Sequence, residues 1–267
     1  MENWYHHNLN PYAIDLFGVS IPWYWIIYVA GWFWCDFAGR RYLTATSNEL
    51  NRPKVHAAFW DFMFWGWIAL LVGARVTYIL IYNFEYYQTH PDQIPAIWNG
   101  GMSFHGGLIG VALAGWIIAK RHGVSLYSIT DPLAISVPLV VFFGRVANFL
   151  NGELPGRASN LPWAVVFPEP YNDVPRHPSQ IYEAFAEGLL VWIILNLMKH
   201  KLKARVGGIT FAFLGLYASA RFFVEFTRQP DPQIGLIAGL TMGQWLSLLL
   251  GAISIIGLRA KKHATDL

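Results

Sequence analysis

The sequence predicts an all-α integral membrane protein with seven transmembrane helices, and three observations predict it. Hydrophobic residues make up 55% of the 267 positions and charged residues only 13%, with a mean hydropathy of +0.34, a composition foreign to soluble domains. Apolar runs recur at close to the roughly 20 residues that a helix needs to cross about 30 Å of hydrocarbon. Lys and Arg, finally, gather in alternate connections between those runs.

The spans read in order as Val19 to Phe37, Phe59 to Tyr82, Phe104 to Ala119, Pro132 to Phe149, Ile181 to Met198, Gly208 to Phe226 and Met242 to Leu258. Those that contain Gly, Pro or charge are tolerable in lipid only where these positions face protein or a wet cavity. The first span is flanked by Arg40, Arg41, Arg52 and Lys54, the third by Lys120 and Arg121, the fifth by Lys199, Lys201, Lys203 and Arg205, and the seventh by Arg259, Lys261 and Lys262. Basic connections stay in the cytoplasm, so the N-terminus is placed outside (periplasmic) and the C-terminus in the cytoplasm. An odd number of spans agrees with this. The whole chain, 1–267, reads as a single polytopic domain, with an outer loop at about 151–178 as a candidate active-site cap that is either a lid or an ordered cover.

Several function classes are excluded at this level. The single cysteine, Cys35, rules out an intrachain disulfide and any multi-cysteine metal site, and it reads as a buried small hydrophobe. The first residues carry no basic n-region, so the first helix is expected to remain in the mature protein. The chain lacks G-x-S-x-G, a Walker loop, H-E-x-x-H and a dinucleotide glycine fingerprint. His6 and His7 read as a solvated start rather than a metal site. Most basic charge is explained by topology, which leaves no case for nucleic acid.

The six remaining basic residues, Arg75, Arg145, Arg157, Arg176, Arg221 and Arg228, are all arginine. A planar, permanently charged fork suits phosphate and carboxylate, so the bias points to oxyanion binding; helix-to-helix ion pairing is the other reading. In the sixth span, Tyr217, Arg221, Glu225 and Arg228 follow offsets of four, four and three and form one polar stripe, which faces either the bundle interior or water. The topology brings this stripe to the same outer depth as Tyr24, Ser103, His105, Arg145, Asn148 and Glu183. In GGMSFHGGLIG, Ser103 is a helix cap, and Gly106 with Gly107 would let a ligand approach the backbone. His105 beside that helix start is either a neutral general base or a satisfied structural residue.

Four blocks then carry a resemblance: GGMSFHGGLIG from Gly100, GRVANFLNGELPGR from Gly144, RHPSQIYE from Arg176 and YASARFFVEFTRQPD from Tyr217. In this order, with PWYW from Pro22, they resemble the bacterial prolipoprotein diacylglyceryl transferase family. The resemblance implies transfer of the diacylglyceryl group of phosphatidylglycerol to the lipobox cysteine thiol of a prolipoprotein signal peptide, forming a thioether and releasing glycerol phosphate. It implies a multi-pass protein of the bacterial plasma (inner) membrane, an active site facing the outer side, and neither cofactor nor metal. Carried over by position, the catalytic residues are His105, Arg145 and Arg221. The substrate-binding residues are Tyr24, Asn148, Glu153, Gly156, Arg157, Tyr217, Glu225 and Arg228. Arg145 and Arg221 are expected to clamp the phosphate, Glu225 to orient Arg221, and His105 either to deprotonate the thiol or to orient the headgroup.

The chain departs from the family pattern at Ala147, Pro155 and Thr227. Ala147 is expected to hinder close helix packing, and Pro155 to alter the covering loop. Two rivals remain, a transporter for an anionic solute and a different enzyme acting on phospholipid. The first would require polar groups distributed across the membrane and an internal repeat, and neither is evident. The second differs only in its acceptor.

Overall fold

Each of the seven apolar runs contains a helix in the computed structural model, which describes residues 4–16, 19–97, 100–171, 173–230 and 235–260. Lys261, Lys262, Asp231 and Pro232 lie outside the described residues. The helix boundaries follow local chemistry more closely than hydropathy. Helix α1 (Trp23–Thr46) begins directly after Pro22, because Val19–Pro22 forms strand β3, paired antiparallel with β2 (Tyr12–Leu16). Pro53 in the first turn of α2 (Arg52–Thr77) starts that helix seven residues before Phe59. A π-helical turn, Tyr78–Tyr82, continues it. After the short α3 (Phe84–Thr89), α4 (Phe104–His122) is capped by the Ser103 side chain, which accepts from the Gly106 amide at 3.3 Å, and stops at Gly123 in the left-handed region.

Helix α5 (Tyr127–Leu150) follows. The next helix opens as α6 (Ser179–Glu183), passes through a π-helical stretch, Ala184–Leu190, and finishes as α7 (Val191–Leu202). Helix α8 (Gly208–Val224) ends two residues before Phe226, and α9 (Met242–Arg259) begins with a reciprocal Thr241 and Gln244 capping box. Among the described residues, Arg52–Tyr82, Tyr127–Leu150, Ser179–Leu202 and Met242–Arg259 are long and apolar enough to cross a membrane, and Gly208–Val224 is apolar but shorter. The protein is thus a mostly helical, multi-pass membrane protein.

Short strands supplement the helices. Strand β1 (Tyr5–His6) runs parallel to β4 (Val165–Val166), which pairs antiparallel with β5 (Pro175–Arg176), and β6 (Leu236–Ile237) pairs with β7 (Leu240–Thr241). Residues 151–178 therefore carry their own ladder. The expectation of a solvated His7 is corrected here: His7 is buried, its Nε2 lies 2.6 Å from the Phe149 carbonyl oxygen, and its ring stacks on Phe167. Phe149 is in the last turn of α5, where its carbonyl accepts from the Gly152 amide at 3.0 Å and takes a second bond from the imidazole.

The chain divides into two units, residues 1–39 with 133–267, and residues 40–132. In the second unit α2 and α4 approach so closely that a Cβ on Gly106 would lie 2.3 Å from the Gly73 carbonyl oxygen, and one on Gly110 would lie 2.1 Å from that of Ala69. Gly106 thus makes room for a neighbouring helix, where a ligand's approach was expected. Arg75, part of the arginine bias toward oxyanions, is likewise committed to backbone. Its guanidinium donates to the carbonyls of Ile94, Gly100, Gly101, Gln93 and Ala96 at 2.6–3.2 Å. It pins the chain that leads into Ser103, whose amide donates to the Ala74 carbonyl.

In the first unit, α8 and α9 meet through small residues, with the Ser254 hydroxyl donating to the Phe211 carbonyl at 2.6 Å and facing Gly215. The π-helical stretch meets α5 where Gly188 sits against the Phe142 backbone, 2.6 Å from where a Cβ would stand. Ala147 is fully buried in α5, which accommodates its methyl group.

Candidate active site

Among the described residues of the first unit, two polar clusters stand out. The larger is built on Glu183 and Glu187, both 0% exposed, one helical turn apart across the start of the π-helical stretch. Burying two carboxylates is tolerable only with cationic partners, and the partners come from elsewhere in the chain. Arg145 of α5 reaches Glu183 at 2.9 Å and Glu187 at 3.7 Å. Arg221 of α8 reaches Glu183 at 3.2 Å, Glu187 at 3.4 Å and Glu225 at 2.8 Å. Arg228, just beyond α8, pairs closely with Glu183 and meets Glu225 at 3.5 Å. Glu183 is therefore the common partner of all three arginines, which without it would repel one another.

The polar stripe expected on the sixth span survives intact. Arg221 and Glu225 form the i,i+4 pair, Arg228 closes the far end, and Tyr217 sits one turn before Arg221, within electrostatic range of Glu187, Arg145 and Glu183. The carboxylate of Glu225 also packs on the first turn of α9, where a Cβ at Gly243 would fall 2.7 Å from its carboxyl carbon. The arginine side chains keep 17–22% of their surface open while the two glutamates keep none. The cations thus present a face, and the anions form the wall behind it.

The smaller cluster surrounds Glu153, which follows the last turn of α5. Its carboxylate accepts from Asn151 Nδ2 at 2.8 Å, from the Tyr24 hydroxyl at 3.4 Å and from Asn148 Nδ2 at 3.5 Å. Its carbonyl accepts from Gln180 Nε2 at 2.5 Å, which ties this turn to the start of α6. Tyr24 stacks on Tyr28 one turn along α1, and both rings lie within electrostatic range of Arg145, so that arginine stands between the clusters.

Gly156 and Arg157 tie the segment after α5 to His177 and to the chain beyond α8. The Gly156 amide donates to the His177 carbonyl and the Arg157 amide to that of Thr227, both at 2.9 Å, while Arg157 Nε donates to the Arg228 carbonyl at 2.7 Å. A Cβ at Gly156 would stand 2.3 Å from the Thr227 carbonyl oxygen, so only glycine allows the approach. Pro155 is buried beside it. His177, within this segment, has its imidazole pKa lowered by burial.

Of the expected site residues, the structure gathers Arg145, Tyr217, Arg221, Glu225 and Arg228 in one cluster and Tyr24, Asn148 and Glu153 in the adjoining one, with Gly156 and Arg157 joining the segment after α5 to Arg228. His105 belongs to the other unit, exposed in the first turn of α4 behind its Ser103 cap. The sequence reading placed Glu183 at this depth without a role and overlooked Glu187. The available signal was their spacing: two glutamates four residues apart in an otherwise apolar span define one charged face.

The model of the prolipoprotein diacylglyceryl transferase family matches residues 11–259. The chain belongs to that family. A relative from Methylobacillus flagellatus, named phosphatidylglycerol–prolipoprotein diacylglyceryl transferase, is 44% identical over 250 residues, covering 91% of this chain and 93% of its own. A protein of the same name from Idiomarina loihiensis is 42% identical over 267 residues, covering 98% and 97%. Another from Rhodospirillum centenum is 42% identical over 252 residues, covering 92% and 90%. Family membership gives the buried Arg and Glu cluster a chemical context, because the name of these relatives specifies an anionic phospholipid.

Proposed function

We propose that this protein transfers the diacylglyceryl group of phosphatidylglycerol to a prolipoprotein, using the lipobox cysteine thiol as acceptor. The observation that carries the reading is the gathering of Arg145, Arg221 and Arg228 around buried carboxylates with part of each guanidinium open. Fixed, partly desolvated cations of this kind suit a phosphodiester and can stabilise charge that develops on a leaving phosphate. In the proposed step the thiolate sulfur attacks the glycerol carbon, a C–S bond forms, and the C–O bond to phosphate breaks with its electron pair on oxygen. Glycerol phosphate leaves. A free thiol has a pKa of about 8.5, so a base or a positive field must raise the thiolate fraction.

In this reading Arg145 and Arg221 clamp the phosphate, with Arg228 beside them. Asn148 and Tyr24 bind headgroup oxygens, Glu153 orients both, and Tyr217 and Glu225 fix Arg221. Gly156 and Arg157 anchor the cover at 151–178. His105 takes the thiol proton or orients the headgroup. The reading includes seven spans in a bacterial plasma membrane, the N-terminus outside, the C-terminus in the cytoplasm, and chemistry on the outer side, and the distribution of Lys and Arg supports this orientation. It needs no metal or soluble cofactor and has no place for nucleic acid.

The test is to incubate purified protein in detergent with phosphatidylglycerol and a lipobox cysteine peptide and to measure the peptide's mass. The expected result is a diacylglyceryl gain that is lost in Arg145→Ala, with the His105→Ala rate reporting whether the imidazole is indispensable. A folded protein that gives no gain across several phospholipids would overturn the proposal, and undiminished transfer to a Cys→Ser acceptor peptide would overturn its thiol step.

A further inference from the structure

Arg145, Arg221 and Arg228 face Glu183, Glu187 and Glu225, so the cluster is formally neutral. A phosphodiester entering it would leave one uncompensated negative charge in a largely buried site, which is unfavourable unless something is neutralised. The three glutamates are not equally able to respond. Glu183 is held by all three arginines, with one oxygen at 2.9 and 3.2 Å from two of them and the other in close contact with Arg228. Glu225 also has an oxygen, Oε2, without a hydrogen-bond donor among the described residues, but that oxygen is held at 2.8 Å by Arg221, its i,i+4 partner, and at 3.5 Å by Arg228.

Glu187 is the loose member. Its ion-pair distances are 3.4 Å to Arg221 and 3.7 Å to Arg145, it is fully buried, and among the described residues its Oε2 has no hydrogen-bond donor. It also sits on the π-helical stretch, a local departure from α geometry that recurs at functional sites. The groups that face it are Arg145 from α5, Arg221 and Tyr217 from α8, and Glu183 one turn earlier on its own helix.

We propose that Glu187 is a substrate-linked proton site: it takes up one proton as the anionic headgroup settles on Arg145 and Arg221, and it returns the proton when the phosphate product leaves. This deepens the function proposed above and rests on it. The acceptor oxygen without a donor is where the proton resides, and Arg145 and Arg221, released from their long contacts with Glu187, turn toward the phosphate. The cluster with bound headgroup is then neutral again. Glu187 acts through the two arginines and is a positioning residue.

The test uses full-length protein in detergent and compares phosphatidylglycerol with phosphatidylcholine micelles in weakly buffered solution containing a pH indicator. Binding is followed separately, by co-elution of the lipid. Wild type is expected to take up close to one proton per phosphatidylglycerol bound and none with phosphatidylcholine. Its affinity should fall by up to about tenfold per pH unit between pH 7 and 9, the slope that one linked proton dictates. A phosphodiester keeps its single charge across that range, and an ordinary imidazole has finished titrating near its start. Glu187→Gln fixes the neutral state at nearly constant shape, and its affinity should be tighter and independent of pH. Binding of phosphatidylglycerol to wild type without proton uptake would overturn the proposal, as would an unchanged pH slope in a folded Glu187→Gln protein. The wild-type uptake decides the matter even if the variant fails to fold. Absence of phosphatidylglycerol binding at every pH would overturn the proposed function itself.

Discussion

Replacing Glu183 by Gln removes the one anion that all three arginines share, at nearly constant shape. Removing one partner of a buried ion pair destabilises by about 3–5 kcal/mol, because the remaining charges are left uncompensated. The arginines here are 17–22% exposed and retain Glu187 and Glu225, which places the expectation at the low end, about 3 kcal/mol. For a chain of this size that corresponds to roughly 6–12 °C in Tm. The molecule supplies its own reporter: Cys35 is the single cysteine and only 7% exposed, so a thiol-reactive dye becomes fluorescent as α1 loses its packing. Diacylglyceryl transfer should fall at least 100-fold in the same variant even well below its Tm, because Arg145 and Arg221 are no longer held at one locus. A Glu183→Gln protein with wild-type melting and turnover would refute the idea that this carboxylate organises the cluster.

Four further outcomes are expected. Gly156→Ala drives a methyl into the Thr227 carbonyl oxygen and should destabilise by about 1–3 kcal/mol with loss of transfer; Gly251→Ala, where a Cβ meets nothing within 4 Å, should leave Cys35 protection unchanged or slightly improved. Arg75→Lys keeps the charge but loses the planar fork that serves five carbonyls, and should lower Tm by an amount equivalent to about 2–4 kcal/mol; unchanged melting would show that the staple is redundant. His7→Phe keeps the stacked ring and loses the bond to the Phe149 carbonyl, a cost of about 1 kcal/mol that differential scanning of the two proteins would resolve.

The fourth concerns pH. Burial lowers the pKa of His177 below that of the unfolded chain, so at acid pH the unfolded state binds the extra proton first. Its contribution should be intact above about pH 6.5, the unfolded imidazole value, and should diminish as pH falls through that value toward the lower folded one. Melting curves between pH 7.5 and 5 should therefore fall more steeply for wild type than for His177→Gln, and parallel curves would count against this assignment.

Much of the fold is local and was legible along the chain. The seven apolar runs all contain helices, and for the four described ones long enough to cross a membrane, hydrocarbon leaves a backbone few other ways to satisfy its polar groups. Ser103 caps α4, and the four-residue spacing of Tyr217, Arg221 and Glu225 holds them to one face whatever surrounds the helix. Boundaries were less legible: Pro22 and Pro53 moved two helix starts, and the β2 and β3 pairing took residues that hydropathy assigned to the first span.

The rest depends on which residues meet across long stretches of sequence, and no single segment contains that information. Arg75 and Arg221 look alike as isolated arginines in apolar helices, yet one is committed to five backbone carbonyls and the other to three carboxylates. Gly106 reads as an opening for a ligand until Gly73 occupies the space, and His7 reads as solvated until Phe149 and Phe167 enclose it. The sequence by itself determined the membrane class, the helices and the arginines that carry charge into them. Only the tertiary structure decided that Glu183 and Glu187 gather those arginines, because buried charges are tolerated only in compensated sets, and the members of this set come from three helices and the segment beyond α8.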